Sequence, residues 1–121
     1  MDIKIISNAF LGLGHELRLS IYRLIARSAK QGIRPSELKE QLNIPQATLS
    51  FHLKQLQITQ LVVVQRKGTS LFYTINTAAL EELIQTMQLL LQNSEDNSIH
   101  VLTKPRIKVK AKESIDPPND L

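Results

Sequence analysis

Apolar positions along the first ninety residues follow two different periods. Ile3, Ile6, Phe10 and Leu13 stand at helical spacing, which predicts a short amphipathic first helix broken by Gly12 and Gly14. A second helix is predicted from about His15 to Ala29. Leu17, Leu19, Ile21, Leu24 and Ile25 supply most of its apolar residues, and Lys30-Gln31-Gly32 ends it with glycine where a helix has just finished. Arg34-Pro35-Ser36-Glu37-Leu38 starts a third, because Pro35 is pre-set for a first turn and Glu37 complements the helix dipole. It ends near Asn43, where Ile44-Pro45 imposes an extended step. A fourth helix covers roughly Gln46 to Gln57.

The period then changes. The β-branched run Leu61 to Gln65 and the stretch Ser70 to Ile75 flank Arg66-Lys67-Gly68-Thr69, a short turn containing glycine, and together they read as a β-hairpin. A last helix starts at Asn76 or Thr77, both good N-caps, and carries Leu80, Leu83, Ile84, Met87, Leu90 and Leu91. The order helix, helix, helix-turn-helix, hairpin, helix predicts a mainly α fold with a small β-hairpin wing. That is a winged helix-turn-helix with an extra helix at each end. Residues 1–93 form the domain, and 94–121 are expected to be a polar, mostly disordered tail. The alternation of basic and apolar residues from Arg106 to Lys112 belongs to that tail.

With 121 residues there is length for one domain. Aromatic residues are scarce and Trp is absent, so the core is built from Leu, Ile and Val. No Cys occurs, which excludes disulfides, thiolate metal sites and thiol redox sensing. No signal peptide opens the chain and no apolar run could cross a bilayer, so a soluble, cytoplasmic protein without membrane partners is expected. The net charge of +4 attracts polyanions. From Ser94 onward basic and acidic residues balance, so the whole excess lies in residues 1–93.

Leu49, Leu53 and Leu56 form the buried stripe of the fourth helix. Its remaining face presents Gln46, Ala47, Thr48, Ser50, His52, Lys54 and Gln55, small or hydrogen-bonding groups with no carboxylate among them. A face kept only for solubility usually mixes Glu and Lys. One that enters the major groove of double-stranded DNA must avoid anions beside phosphates and stay slim. Gln pairs bidentately with adenine, Ser and Thr accept or donate to either edge, and Ala touches a thymine methyl. Gln46, Ala47 and Ser50, nearest the helix N-terminus, are the expected base readers, with Thr48 and Lys54 on phosphates. His52 either donates to DNA or packs beside Leu49. The hairpin tip, Arg66, Lys67, Gly68 and Thr69, fits a wing beside a phosphate strand or a narrow minor groove.

These segments resemble the arsenic-repressor (ArsR/SmtB) family of winged helix-turn-helix transcription factors, over roughly Phe10 to Asn93. The resemblance rests on Leu13-Gly14-His15-Glu16-Leu17-Arg18-Leu19, on the run Leu42 to Leu56, and on the wing from Val64 to Tyr73 with Gly68 at its turn. It implies a homodimer that binds an imperfect palindrome, represses, and lets go when an inducer binds. It also places Gln46, Ala47 and Ser50 at base-contacting positions and Arg66 to Thr69 at the wing tip. The family's metal motifs are missing: Ile33 to Lys39 has no Cys-x-Cys, and Ala78 to Asn93 has no His. Both departures count against metal sensing, and no cofactor is expected. Gln60 stands where an Ala-Gly pair often turns the chain. A left-handed Gln costs about 1 kcal/mol, so a differently built turn is expected there.

Ile3, Ile6, Phe10, Leu80, Leu83, Ile84, Met87, Leu90 and Leu91 make the terminal helices more apolar than a lone small domain should expose, which predicts a dimer interface between two chains. His15-Glu16-Leu17-Arg18-Leu19 begins like a zinc-protease motif but has Leu at its fifth position, so the ligand pair is incomplete. No nucleophile-base arrangement and no glycine-rich phosphate loop occurs, and the chain is not expected to be an enzyme. The alternative reading is a winged-helix protein-interaction module without DNA binding. Neither the inducer nor the operator is legible.

Overall fold

A computed structural model describes residues 2–95. The chain divides into two compact units, Met1–Leu83 and Ile84–Leu121. Helix α1 (Ile3–Leu13) starts at Asp2, whose carboxylate accepts from the Ile5 N–H at 3.0 Å, the N-cap bond that replaces a missing intrahelical partner. It runs through Gly12 rather than breaking there, and stops at Gly14. Gly12 is required by packing: a Cβ in its place would stand 2.7 Å from Thr59 Oγ1 and 3.0 Å from Leu61 Cδ1.

Helix α2 (Glu16–Arg27) ends two residues before the predicted limit, and the chain passes through a short 3-10 turn, Ala29–Gln31. Its buried face is Arg18, Ile21, Tyr22 and Ile25, an i, i+3, i+4, i+7 stripe that includes two residues the apolar pattern left out, while Leu19 is exposed. Helix α3 (Pro35–Leu42) is opened by Glu37, whose carboxylate accepts from the Arg34 N–H at 2.9 Å. That bond, followed by the Arg34 guanidinium, lowers the Glu37 pKa. Asn43 closes α3 in the left-handed conformation (φ 52), where Asn is tolerated better than most residues. Helix α4 (Gln46–Ile58) follows Pro45, and its Leu49, Leu53 and Leu56 bury as predicted.

Strands β1 (Val62–Lys67) and β2 (Ser70–Ile75) pair antiparallel from Val62 with Ile75 to Lys67 with Ser70, leaving Gly68 and Thr69 as a two-residue turn. Gly68 has φ 66, the positive value such tight turns demand. Ile33 exchanges two backbone hydrogen bonds with Tyr73, at 3.0 and 2.9 Å, and so adds a single residue to the outer edge of β2. The core joins α1 to α4 and the hairpin base, with Ile21, Ile25, Leu38, Leu49, Leu56 and Leu61 fully enclosed.

Gln60 corrects one expectation, for it does adopt the left-handed conformation (φ 62). The strain is held in place from both sides: its N–H donates to the Gln57 carbonyl and its own carbonyl accepts from Asn76 Nδ2, both at 2.9 Å. Helix α5 (Thr77–Glu95) begins in the first unit, where Ala79 and Leu83 are buried, and its continuation from Ile84 belongs to the second. The helix runs on through Ser94 and Glu95, two residues into the expected tail; the rest of that tail, including Arg106 to Lys112, lies outside the described residues.

Gly32 (φ 79) and Gly68 separate backbone strain from crowding. A Cβ at Gly32 meets Phe72 Cβ at 3.1 Å and Tyr73 O at 3.2 Å, whereas at Gly68 nothing lies within 4 Å. Gly68→Ala should cost about 1–2 kcal/mol for the left-handed backbone alone, and Gly32→Ala measurably more, because β2 must also shift. Urea unfolding of the two variants checks the order.

Candidate nucleic-acid interface

Helix α4 has no acidic residue from Gln46 to Ile58. Its interior stripe is Leu49, His52, Leu53 and Leu56. At 3.6 residues per turn the opposite row is Ala47, Phe51, Lys54 and Ile58, and all four are exposed. Gln46, Ser50 and Gln57 form one flank of that row and are also exposed, while Thr48 and Gln55 form the other and are half-buried. Gln46 Nε2 donates to Ser50 Oγ at 3.2 Å, so two of the predicted base readers stand together one turn apart. The N-cap is Pro45, which offers no side-chain acceptor, and the first-turn N–H groups are left without a side-chain cap. This surface offers an amide, a hydroxyl, a methyl and an ammonium group, with backbone donors at its end. It suits a polyanion that displays hydrogen-bonding edges.

His52 is a correction. It does not share the exposed face but is 5% exposed, and its Nδ1 accepts from Arg18 Nε at 3.2 Å. Arg18 is itself 9% exposed, and its Nη1 donates to the carbonyls of Gly12 at 3.3 Å and Leu11 at 3.4 Å. Those carbonyls belong to the last turn of α1, where unsatisfied acceptors and the negative end of the helix dipole favour a cation. One guanidinium thus joins α1, α2 and α4. The His15 ring lies 4.6 Å from that of His52, tilted by 52°, and Phe51 meets the His52 ring edge-on at 5.2 Å. Burial, with the Arg18 charge and His15 beside it, pushes the His52 pKa below the usual histidine range, which keeps the ring neutral and able to accept.

At the wing, Arg66, Lys67, Gly68 and Thr69 are all exposed, as a phosphate contact needs. Lys67 Nζ lies 5.0 Å from the centroid of the Phe72 ring, a cation-π contact that draws the lysine along the hairpin. The α4 face and the wing both belong to the Met1–Leu83 unit. Of the residues predicted at a subunit contact, Ile6 and Leu83 are spent on the chain's own core, and Leu80 is half-buried. Ile3 and Phe10 on α1 are exposed, as are Ile84, Met87, Leu90 and Leu91 in the second unit. The sequence reading missed Phe51 and Ile58, since it sought small and hydrogen-bonding groups on that face. Their i, i+7 spacing opposite Leu49 and Leu56 was the available signal. Among the described residues no group of three or more His, Cys, Asp or Glu side chains could hold a metal ion, and no helix is long and apolar enough to cross a membrane.

The Arg18–His52 bond makes stability depend on pH with a definite sign. The His52 pKa is lowered in the folded chain, so the unfolded state binds more protons as pH falls through about 6.5. Stability should be full above that value and decline from pH 7.5 to 5.5. In His52→Gln, which can still accept from Arg18, the decline should flatten. His52→Leu leaves a buried guanidinium donor unpaired and should cost about 1–3 kcal/mol at pH 7.5. Thermal unfolding across that pH range measures both.

A helix-turn-helix domain model matches residues 13–65. The arsenical resistance operon repressor of Staphylococcus aureus is 29% identical over 90 residues, which span 74% of this chain and 84% of the repressor. An ArsR-like transcriptional regulator from Rhodococcus sp. RHA1 superposes with a TM-score of 0.69 at 21% identity, covering 84% of this chain and 92% of that one. A homodimeric winged helix-turn-helix DNA-binding domain from Mycobacterium bovis gives a TM-score of 0.60, also at 21% identity, over 74% of this chain and 81% of its own. The matched segment, the order of elements and the hairpin wing agree: the chain has a winged helix-turn-helix fold and is similar to ArsR-type regulators.

Proposed function

We propose that the chain is a sequence-specific DNA-binding transcriptional regulator, acting as a homodimeric repressor on a dyad-symmetric operator. The observation that carries this reading is the outward face of α4: Gln46, Ala47, Ser50 and Lys54 are exposed together, with no carboxylate on the helix. Gln46, Ala47 and Ser50 read base edges, while Lys54 and half-buried Thr48 and Gln55 border the phosphates. Arg66 to Thr69 lie along the backbone as the wing. The repressor named among the relatives supports the direction of control, and the homodimeric DNA-binding domain supports the assembly.

Dimer formation would cover Ile3 and Phe10 on α1 and Ile84, Met87, Leu90 and Leu91 on the later part of α5, side chains that otherwise face water. Two-fold symmetry then places two copies of α4 in successive major grooves, with half-site centres about 34–36 Å apart.

Selection from random duplexes should enrich a dyad-symmetric sequence; enrichment of nothing would defeat this function. On that duplex Gln46→Ala and Ser50→Ala should each lose about 1–3 kcal/mol of affinity and relax preference at one position per half-site. Arg66→Ala should instead weaken all sequences alike and lower the salt slope by about one per wing. Sedimentation should show a dimer at micromolar concentration that Met87→Glu with Leu90→Glu dissociates.

A further inference from the structure

Phe51 lies at the centre of the outward row of α4 and is 55% exposed. Leaving half a phenyl ring in water forgoes the stabilisation that burial gives, so the exposure asks for a use. The ring is not loosely held. Its neighbour His52 meets it edge-on at 5.2 Å with the planes 68° apart, and the Arg18 guanidinium carbon sits 6.0 Å from its centroid. Both partners belong to the buried node that ties α4 to α1 and α2. One side of the ring therefore rests on the interior while the rest projects between Ala47 and Lys54.

We propose that Phe51 is a specificity-determining residue that contacts the C5-methyl group of thymine in the major groove, with Arg18 and His52 as positioning residues behind it. The proposal rests on the DNA-binding reading above. In the major groove the thymine methyl is the apolar group among base edges, and a phenyl ring selects it by contact without leaving a hydrogen-bonding group unpaired. Ala47, one turn earlier on the same row, is a second methyl-compatible surface, so the row prefers thymine at two nearby positions. An apolar protein partner suits this surface less well. The ring is bordered by Lys54, Gln46, Ser50 and uncapped backbone donors, which complement a polyanion.

Replacing thymine by deoxyuridine deletes the methyl alone and leaves every hydrogen-bonding group of the base in place. The full chain is first used to enrich a duplex, and each thymine of the enriched site is then replaced in turn. For the unmodified protein, one position per half-site should lose about three- to five-fold in affinity, the worth of one buried methyl group. Phe51→Ala should bind more weakly and no longer distinguish thymine from uracil at that position, and Phe51→Leu should restore part of the preference. Because more than half of Phe51 is exposed, Phe51→Ala should stay folded, with a modest drop in its thermal unfolding midpoint that does not account for a loss confined to one base. His52→Gln should reduce the thymine preference at the Phe51 position while leaving that of Gln46 in place, which general loosening of the fold would not do. If no sequence is enriched, the DNA-binding reading fails and this inference with it. If a sequence is enriched but no thymine is methyl-sensitive, or Phe51→Ala keeps the sensitivity, the inference alone is overturned.

Discussion

A buried arginine without a carboxylate is the constraint around which this fold is arranged. Moving a guanidinium out of water is costly unless its donors are met, and Arg18 places Nη1 on the Leu11 and Gly12 carbonyls and Nε on His52 Nδ1. Each acceptor is a structural commitment. The carbonyls exist because α1 ends there, and the end of a helix is where carbonyls are free and the dipole is negative. The imidazole accepts because it stays neutral. Removing His52 leaves a buried donor unpaired, so α1, α2 and α4 are held to one mutual arrangement more firmly than leucine contacts alone would hold them.

The turns on either side of α4 hold it as well. Asn43 in the left-handed conformation lets α3 stop abruptly and turn into Ile44 and Pro45. At the other end Gln60 takes the same conformation at a cost in strain, and Asn76 binds its carbonyl from the start of α5. Thr59 follows the helix closely, its hydroxyl donating to the Gln55 carbonyl at 2.9 Å, and Gly12 lets α1 approach that turn. The helix is therefore clamped at both ends and from behind, while its outward row is exposed. A surface that must meet a rigid duplex in one register benefits from such support, because geometry lost at the site is lost in affinity and discrimination alike.

Electrostatics and packing divide the proposed function between them. Lys54 and the wing cations supply attraction that does not depend on sequence, whereas Gln46, Ala47, Ser50 and Phe51 supply short-range contacts that do. Keeping carboxylates off the helix serves both roles. In the proposed dimer the exposed Ile3, Phe10, Ile84, Met87, Leu90 and Leu91 would serve a third, since a two-fold partner doubles the contacts and imposes spacing on them.

Much of this was legible in the sequence because it depends on local rules. Helix period, Pro35, Asn43, the Gly68 turn and the leucine stripe of α4 each act within a few residues, and they determined the order of elements and the wing. The absence of acids on α4 is likewise a property of the string. Tertiary structure alone decided which polar residues go inside. Arg18 and His52 bury each other from 34 residues apart, so the burial of Arg18 was not legible and His52 kept two readings until the fold chose the packed one. Phe51 lies opposite the leucine stripe and faces out, and only the fold shows what holds its ring: His52 edge-on and the Arg18 guanidinium. Local chemistry set the elements and the leucine face of α4; long-range hydrogen bonding to one buried charge decided which polar groups join the core beside it.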